Sequence, residues 1–239
     1  MQARDRLIVA LDVPNAIQAR QIVQSLGDTI TTYKVGKQLF VAEGPQLVRD
    51  LVASGRKVFL DLKFHDIPNT VAEAVRSAAR LGVTMLNLHA SGGSKMMKAA
   101  VEAAAQSETK PLVLAVTVLT SLSDADMSEI GFCGTAANQV LRLAALARSA
   151  GCGGIISSAR ETGELRRELG EGFPIVNLGI RMAGADIADH ARPLTPGEAL
   201  AAGATYLGVG RPILQADDPL AAARRILAEM EEALQSAAG

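Results

Sequence analysis

The stretch Lys57-Val58-Phe59-Leu60-Asp61-Leu62-Lys63-Phe64-His65-Asp66-Ile67-Pro68-Asn69-Thr70 contains the junction around which the chain is organised. Its first residues include an apolar run with a β-branched valine, which predicts a buried strand. Pro68 cannot continue a strand but suits the first turn of a helix. The stretch therefore predicts a strand-to-helix junction that carries the charged residues Asp61, Lys63 and Asp66.

The charges at this junction allow two interpretations. In an extended strand Asp61 and Lys63 project from the same face, so a carboxylate and an ammonium lie side by side. Such groups are rarely buried unless they are paired. One interpretation is structural: an ion pair, with Asp66 as a helix cap and Thr70 with Glu73 as a capping box. The other is a catalytic site, and the rest of the chain decides between them.

The composition is that of a globular protein with a large core. The chain has 239 residues, of which 49% are hydrophobic and 21% charged, and its formal net charge is -1. This charge gives no general attraction to nucleic acid or to anionic membranes. The first apolar run, Leu7 to Leu11, is too short for a secretory signal, and Cys133 and Cys152 form no metal or redox spacing. We expect a soluble cytoplasmic protein.

Short apolar runs rich in Val and Ile recur along the chain, each followed by a segment of helical composition. The predicted strands are Leu7 to Leu11, Thr32 to Val35, Val58 to Leu62, Met85 to Leu88, Leu112 to Val116, Gly154 to Ile156, Ile175 to Leu178 and Tyr206 to Val209. Continuous apolar strands favour parallel pairing under an outer layer of helices. Eight such units without a linker predict a single (β/α)8 TIM barrel that spans residues 1–239, rather than a doubly wound sheet.

Helix boundaries are marked by caps and glycines. Thr195-Pro196-Gly197-Glu198 fits a capping box, and Asp218-Pro219 fits a cap followed by the first helical residue. Pro14 and Pro45 stand near predicted first turns. Glycines predicted to end helices are Gly27, Gly55, Gly82, Gly151 and Gly203.

Polar residues cluster after the predicted strands, where barrels of this class place their active sites. Two acids and two lysines converge on this rim: Asp12, Lys34, Asp61 and Lys63. Other polar residues and a glycine predicted there are His89, Ser91, Thr117, Thr120, Ser157, Ser158, Arg181, Gly210 and Arg211. Chance placement would scatter four such charges over both ends of the barrel, so the set favours a catalytic site. Individually, Ser91 and Ser158 also fit helix caps, and His89 also fits a core histidine.

The last two strands end in a pattern suited to a phosphate group. Leu178-Gly179-Ile180-Arg181 closes the seventh strand, and Gly208-Val209-Gly210-Arg211-Pro212 closes the eighth. Glycine lets backbone N–H groups approach an anion, and two guanidinium groups can clamp it. The sequence therefore predicts a substrate with a phosphate handle.

These segments, taken together, resemble the orotidine 5'-phosphate decarboxylase family of the bacterial type. The matching segments are Ala10-Leu11-Asp12, Tyr33-Lys34-Val35-Gly36, the ten residues from Asp61 to Thr70, Val118-Leu119-Thr120-Ser121 and the two phosphate segments. The resemblance runs from about Leu7 to about Pro219. It implies decarboxylation of orotidine 5'-monophosphate to UMP in pyrimidine biosynthesis, without metal or organic cofactor, by a homodimeric barrel that binds neither nucleic acid nor membrane.

The resemblance also implies roles for individual residues. Lys63 is the implied proton donor, and Asp12 and Lys34 contact the ribose. These two complete a charged relay with Asp61. The implied catalytic set is Lys63, Asp61, Lys34 and Asp66, and the implied substrate contacts are Asp12, Lys34, Asp61, Thr70, Thr120, Arg181, His190, Gly210 and Arg211.

The resemblance also implies a site shared between subunits and one departure from the family's usual residues. Asp66 and Thr70 would enter the neighbouring subunit's site across the dimer interface. His190 stands where the family usually has a glutamine that contacts the phosphate. A histidine can still donate a hydrogen bond, so we expect a phosphate contact that depends on pH.

Two alternatives remain open from the sequence. A metal-dependent sugar-phosphate decarboxylase or aldolase-type synthase on the same barrel shares an Asp-x-Lys-x-x-Asp pattern and would hold an enediolate on Mg²⁺. Lys34 and Lys63 crowd the acids that such a metal would need. A catalytically silent nucleotide-binding protein is the second alternative.

Overall fold

The computed structural model describes residues 1–181 and 194–236, which contain a closed barrel of eight parallel strands. The strands are β1 (Leu7–Ala10), β2 (Thr32–Gly36), β3 (Lys57–Phe64), β4 (Met85–His89), β5 (Leu112–Val116), β6 (Gly154–Ser157), β7 (Ile175–Leu178) and β8 (Tyr206–Val209). Each strand pairs with the next along the chain, and β8 closes the barrel by pairing Leu207 with Leu7 of β1. The predicted (β/α)8 barrel is confirmed, as are all eight predicted strands.

Helices follow the strands and cover the barrel. They are α1 (Ala3–Arg6), α2 (Ala16–Leu26), α3 (Lys37–Ala53), α4 (Pro68–Ala79), α5 (Gly93–Ala105), α6 (Asp124–Glu129), α7 (Ala136–Ser149), α8 (Thr162–Leu169), α9 (Pro196–Ala201), α10 (Arg211–Leu214) and α11 (Pro219–Ser236). Short 3₁₀ turns occupy Gly27–Thr29, Ala90–Gly92 and Ala159–Glu161. Within the described part of the chain, every helix is too short or too polar to cross a membrane.

Most of the predicted helix boundaries are confirmed. Thr195 and Glu198 form a reciprocal capping box at α9, and the Asp218 carboxylate accepts a hydrogen bond from the N–H of Ala221 at the start of α11. Pro45 follows Gly44, whose φ of 68° kinks α3, so it begins the second of two helical segments. The five predicted terminal glycines all have positive φ, which L-residues rarely adopt.

Pro68 lies in the first turn of α4 as predicted, but the suggested caps of this helix are wrong. The N-cap is Ile67, not Asp66, because Pro68 with its fixed φ occupies the first helical turn. Thr70 lies within the helix, so no capping box forms with Glu73, whose carboxylate instead accepts a hydrogen bond from Arg76 at 2.5 Å. The Asp66 carboxylate accepts a hydrogen bond from the N–H of Ile67 at 2.6 Å.

Both faces of the strands are buried, as parallel pairing requires. Along β1, Leu7 and Val9 belong to a large apolar cluster that includes the helices, whereas Ile8 belongs to a small cluster formed almost entirely by strand residues. The small cluster fills the barrel interior with side chains such as Phe59 and Leu114. The barrel is therefore a packed core, and a substrate can only bind at one of its ends.

Candidate active site

Four charged side chains from the first three strands form a continuous chain of contacts at the C-terminal rim. The ammonium nitrogen of Lys34 lies 2.9 Å from Asp12 and 3.2 Å from Asp61. Asp61 is in turn 2.5 Å from the ammonium nitrogen of Lys63. The order Asp12, Lys34, Asp61, Lys63 alternates acid and amine, and we call these four residues the charged array. The structure thus brings together the four residues on which the sequence-based prediction of a catalytic site depended.

The middle of the charged array is withdrawn from water. Lys34 is 7% exposed and Asp61 is 4% exposed. Burial alone would raise the pKa of Asp61, but the charges of Lys34 and Lys63, with hydrogen bonds to the carboxylate, outweigh it and hold this pKa below its ordinary value. Burial would lower the pKa of Lys34, but Asp61 and Asp12 outweigh it and raise this pKa. Both groups are therefore charged at neutral pH.

Lys63 reaches Asp61 through an irregular backbone and not through the extended strand that the sequence suggested. Its φ is 53°, in the left-handed region that non-glycine residues rarely occupy. The pairing of β3 with β4 shifts here, since Leu60 faces Leu86 but Phe64 faces Leu88. Three residues of β3 thus oppose one residue of β4, as in a bulge.

Asn87 of β4 is the residue opposite this bulge, and it was not among the site residues predicted from the sequence. Its side-chain oxygen accepts a hydrogen bond from the N–H of Lys63 at 2.8 Å, and its side-chain nitrogen donates to Asp61 at 2.7 Å. It is fully buried. One signal could have identified it: it is the polar residue inside the otherwise apolar run from Met85 to Leu88.

A cavity of about 230 Å³ opens beside the charged array. It is lined by Ala10, Asp12, Lys34, Asp61, Thr120, Leu178, Gly179, Arg181, Gly208, Gly210 and Arg211. Lys63 contacts the lining residue Asp61. The cavity lining therefore combines Asp12, Lys34 and Asp61 of the charged array with the two predicted phosphate-binding arginines.

A glycine keeps space free beside the charged array. A Cβ atom on Gly36, at the end of β2, would lie 3.1 Å from the ammonium nitrogen of Lys34 and 3.3 Å from Asp12. Contacts of this length are tighter than ordinary van der Waals contact. A larger side chain would displace the Asp12 and Lys34 pair.

Several predicted site residues lie elsewhere. Asp66 and Thr70 are exposed and are not among the described residues that line the cavity. Thr117 is buried and donates its hydroxyl hydrogen bond to the carbonyl of Ile156. His190 lies outside the described residues.

His89 lies next to the charged array rather than within it. Its ring stands 5.6 Å from the ring of His65, centroid to centroid. Burial, together with the positive charges of His65, Lys37 and Lys63, lowers the pKa of His89 to about 4, against an opposing effect of Asp61. His89 is therefore neutral at pH 7.

A second cavity, of about 350 Å³, adjoins the first and shares Thr120, Leu178 and Gly179 with it. Its remaining lining is mostly apolar or hydroxyl-bearing, with Arg160, Glu161 and Asp124 as the charged residues. Since the charged array lies in the smaller cavity, the chemistry is assigned there.

A family model described as the orotidine 5'-phosphate decarboxylase / HUMPS family matches residues 5–226. The chain is 54% identical over 228 residues to an orotidine 5'-phosphate decarboxylase of Alkalilimnicola ehrlichii, covering 95% of this chain and 97% of that protein. It is 50% identical over 230 residues to an orotidine 5'-phosphate decarboxylase of Hydrogenovibrio crunogenus, covering 96% and 98%.

Solved structures are similar over nearly the whole chain. The crystal structure of orotidine 5'-phosphate decarboxylase from Lactobacillus acidophilus superposes with a TM-score of 0.84 at 40% identity, covering 94% of this chain and 98% of that one. The corresponding enzyme from Pyrococcus horikoshii gives a TM-score of 0.75 at 27% identity, covering 94% and 98%. The likeness therefore extends through the barrel and is not confined to the rim.

Proposed function

The chain belongs to the orotidine 5'-phosphate decarboxylase / HUMPS family and is a carboxy-lyase, and from this premise we propose how its residues convert orotidine 5'-monophosphate to UMP and CO2 in pyrimidine biosynthesis. The observation that carries the proposal is the charged array, three of whose members line one cavity together with two arginines, while the fourth, Lys63, contacts Asp61. An alternating row of acids and amines can hold a cation against a developing carbanion, and the arginines can hold a phosphate.

The difficulty of the reaction defines what the charged array must do. Loss of CO2 from an sp² ring carbon leaves a carbanion that no adjacent carbonyl can delocalise. Lys63 stabilises the developing negative charge with its ammonium group and then protonates the ring carbon. Asp61 holds Lys63 in place at 2.5 Å and faces the departing carboxylate of the substrate.

Charge repulsion alone cannot account for the rate. Two charges about 4 Å apart interact by about 4 kcal/mol at an effective dielectric constant of about 20. Enzymes typically lower barriers by roughly 8–23 kcal/mol. The remainder comes from charges already fixed in position, since the burial of Lys34 and Asp61 lets them act without reorganising water.

The rest of the cavity binds the nucleotide. Asp12 and Lys34 contact the ribose, and Thr120 contacts the pyrimidine. The phosphate-binding residues are Arg181, Gly210 and Arg211, all of which line the cavity. We extend the same role to His190, and expect replacement by glutamine to remove a pH dependence of KM near neutral pH.

We also propose that the chain, as one domain over residues 1–239, acts as a homodimer without metal or organic cofactor. Asp66 and Thr70 would complete the site of the neighbouring subunit. Support comes from the exposed run 65–70, in which Ile67 is 67% exposed and the Asp66 carboxylate lies at the surface. The buried acid of the array, Asp61, is already paired with two lysines, which leaves it poorly suited as a metal ligand.

Subunit mixing tests the shared site. Asp66→Ala and Lys63→Ala are each expected to be inactive alone. Random reassociation of equal amounts should restore about a quarter of the wild-type activity, because half of the dimers then contain one intact site. Absence of any recovery after confirmed subunit exchange would contradict a site built from two chains.

Turnover of orotidine 5'-monophosphate in the presence of EDTA tests the function itself. The absorbance of the orotate ring is expected to fall with the wild type, and Lys63→Ala should reduce kcat by at least about 1000-fold because it removes both the cation and the proton donor. Lys110→Ala is a matched control, since Lys110 also has a positive φ but precedes β5 at the opposite end of the barrel. Activity that EDTA abolishes and Mg²⁺ restores would favour the metal-dependent alternative. No turnover under either condition would favour a silent nucleotide-binding protein.

A further inference from the structure

Asn87 occupies a position that connects the two central members of the charged array. It lies in β4 between Leu86 and Leu88, the two residues between which the pairing with β3 shifts. The backbone of β3 between Leu60 and Phe64 therefore lacks its regular partners on this side. A polar side chain from β4 can replace them, and Asn87 is fully buried at that point.

Both ends of the Asn87 amide are engaged, and the chemistry of the two partners fixes its orientation. The N–H of Lys63 can only donate, so it must face the amide oxygen, which lies 2.8 Å away. The ionised Asp61 carboxylate can only accept, so it must face the amide nitrogen, which lies 2.7 Å away. Reversing the amide would break both hydrogen bonds.

The two hydrogen bonds meet at a single carboxylate oxygen. Oδ1 of Asp61 accepts from the amide of Asn87 and from the ammonium group of Lys63. The same amide holds the main chain of Lys63 at a φ of 53°. A side chain that fixes both the backbone of Lys63 and the partner of its ammonium group determines where that ammonium group points.

We propose that Asn87 is a positioning residue for the decarboxylation, acting through Lys63 and Asp61 without touching the substrate. The inference rests on the proposed function, because it assigns Asn87 to the reaction of that same site. The positioning role explains the amide at position 87, where the neighbouring strand residues are apolar. An amide has both a donor and an acceptor, and both are used here. A left-handed backbone conformation at a lysine costs free energy. The hydrogen bond from the N–H of Lys63 to Asn87 offsets this cost and keeps the conformation in place.

Asn177 of β7 provides a matched comparison within the same barrel. It is also fully buried, but it accepts from the hydroxyl of Thr162 at 2.9 Å and donates to the carbonyl of Ser157 at 3.2 Å. These hydrogen bonds involve no charged group. Substitutions at Asn177 therefore report the cost of disturbing a buried amide in this barrel without disturbing Lys63.

Three variants separate positioning from packing. Asn87→Leu has a similar volume but neither hydrogen bond, and it should lower kcat roughly 10- to 100-fold with a smaller change in KM, since Asn87 does not line the cavity. Asn87→Asp keeps the acceptor for Lys63 but places a second carboxylate against Asp61. Asn177→Asp introduces a buried carboxylate away from the charged array.

Asn87→Asp should be rescued by acid. The charged groups nearest position 87 are Asp61 and Lys63 from β3, with Lys34 beyond Asp61. The titratable but neutral His89 lies further along β4, and β5 places Leu114 beside position 87. The two acids and two lysines of the array already balance in charge, so a carboxylate added at position 87 is repelled by Asp61. This repulsion raises the pKa of the added carboxyl group. Once protonated it has an acceptor oxygen and an O–H donor, like the asparagine. The ratio of wild-type to Asn87→Asp kcat should therefore fall at least about tenfold between pH 8.5 and 5.5.

The outcomes distinguish this inference from the proposed function. Each variant is assayed where circular dichroism shows it folded, and Asn177→Asp should lose thermal stability but keep a constant activity ratio. A constant ratio for Asn87→Asp, or a folded Asn87→Leu with kcat within about threefold of the wild type, would overturn the positioning role while the function stands. If Asn87→Leu does not fold, the pH series of Asn87→Asp decides alone.

A structural readout remains if the wild type itself fails to turn over orotidine 5'-monophosphate, which would refute the proposed function. In a crystal structure of Asn87→Leu at pH 8.5, Lys63 should leave the left-handed region and its ammonium group should move away from Asp61. If only Asn87→Asp folds, the N–H of Lys63 keeps an acceptor, and the ammonium group alone should move. An unchanged Lys63 would overturn the inference independently of activity.

Discussion

The half of the rim that follows β1–β4 and the half that follows β5–β8 stabilise their buried polar side chains in different ways. The first half contains the charged array, where Asp61 is shared by Lys34 and Lys63. The second half contains a neutral network in which Thr162 donates to Asn177, which donates in turn to the backbone of β6. Both halves form hydrogen bonds and both bury charge, since Arg181 after β7 is also buried, but the carboxylate shared by two buried or half-buried lysines lies in the first half.

This difference indicates which half performs chemistry. Taking charges out of water costs more than their attraction returns in many proteins, so a buried ion pair is weak evidence for stability. A satisfied neutral network carries no such cost and holds the backbone in place. We infer that the charged array is retained for the reaction, and that the neutral network holds the ends of β6 and β7 in place.

The largest expected difference between the two halves comes from Asp61→Asn. The variant has almost the same shape but leaves Lys34 and Lys63 without the carboxylate between them. Removing one partner of a buried ion pair typically costs about 3–5 kcal/mol, whereas Ser157→Ala in the neutral network should cost about 1 kcal/mol. Chemical denaturation of both variants at pH 7 measures the two costs, and equal costs would remove the distinction drawn between the halves.

The stability difference for Asp61→Asn should also depend on pH. Neighbouring cations hold the pKa of Asp61 below its ordinary value of 3.8 in the folded chain, although burial opposes them. Protons therefore bind the unfolded chain first as the pH falls, and this favours unfolding. The advantage of wild type over Asp61→Asn should be full above pH 5 and shrink as the pH falls below about 4. A difference that grows in acid would contradict the sign.

The two halves also differ in how far the sequence could predict them. The continuous apolar strands located every strand of the barrel, and strand order placed Asp12, Lys34 and Asp61 on one rim. Alternation along β3 correctly predicted that Lys63 pairs with Asp61. It could not predict the bulge or its contact with Asn87, because both form only where β3 pairs with β4.

Other features depended on contacts that a local pattern does not contain. Asp66 stands two residues before Pro68 and resembled a helix cap, but the N-cap is Ile67 and Asp66 remains exposed. The hydrogen bonds of the neutral network could not be predicted from the sequence. Ser157 and Thr162 belong to no motif there, and they come near Asn177 only because β6 pairs with β7.

A smaller effect is expected from Gly36→Ala, which crowds the charged half without removing any charge. The new Cβ would lie 3.1 Å from the ammonium nitrogen of Lys34 and 3.3 Å from Asp12, so this pair must shift. A displacement that removes about 1 kcal/mol of transition-state stabilisation lowers kcat/KM about fivefold, which is the expected effect. Gly163→Ala is the control, since nothing lies within 4 Å of its Cβ position. Equal activity of the two variants would show that the array tolerates displacement.

The smallest expected effect concerns His89, at the edge of the charged half. Burial lowers its pKa to about 4, with help from His65, Lys37 and Lys63. Because the unfolded chain takes up this proton near pH 6.5, the stability that His89 contributes is present above that pH and is lost as the pH falls towards 4. An NMR titration should give a midpoint near 4 for His89. A midpoint near 6.5 would mean that neither burial nor the neighbouring cations disfavour the charged imidazole.

The most direct test of the central claim, that the charged array acts on a nucleotide held by its phosphate, is a crystal structure with UMP bound. We predict that the ammonium group of Lys63 lies within hydrogen-bond reach of the ring carbon that carried the carboxylate, with the phosphate on Arg181 and Arg211. A divalent ion seated between Asp12 and Asp61, or UMP bound away from Lys63, would contradict the account.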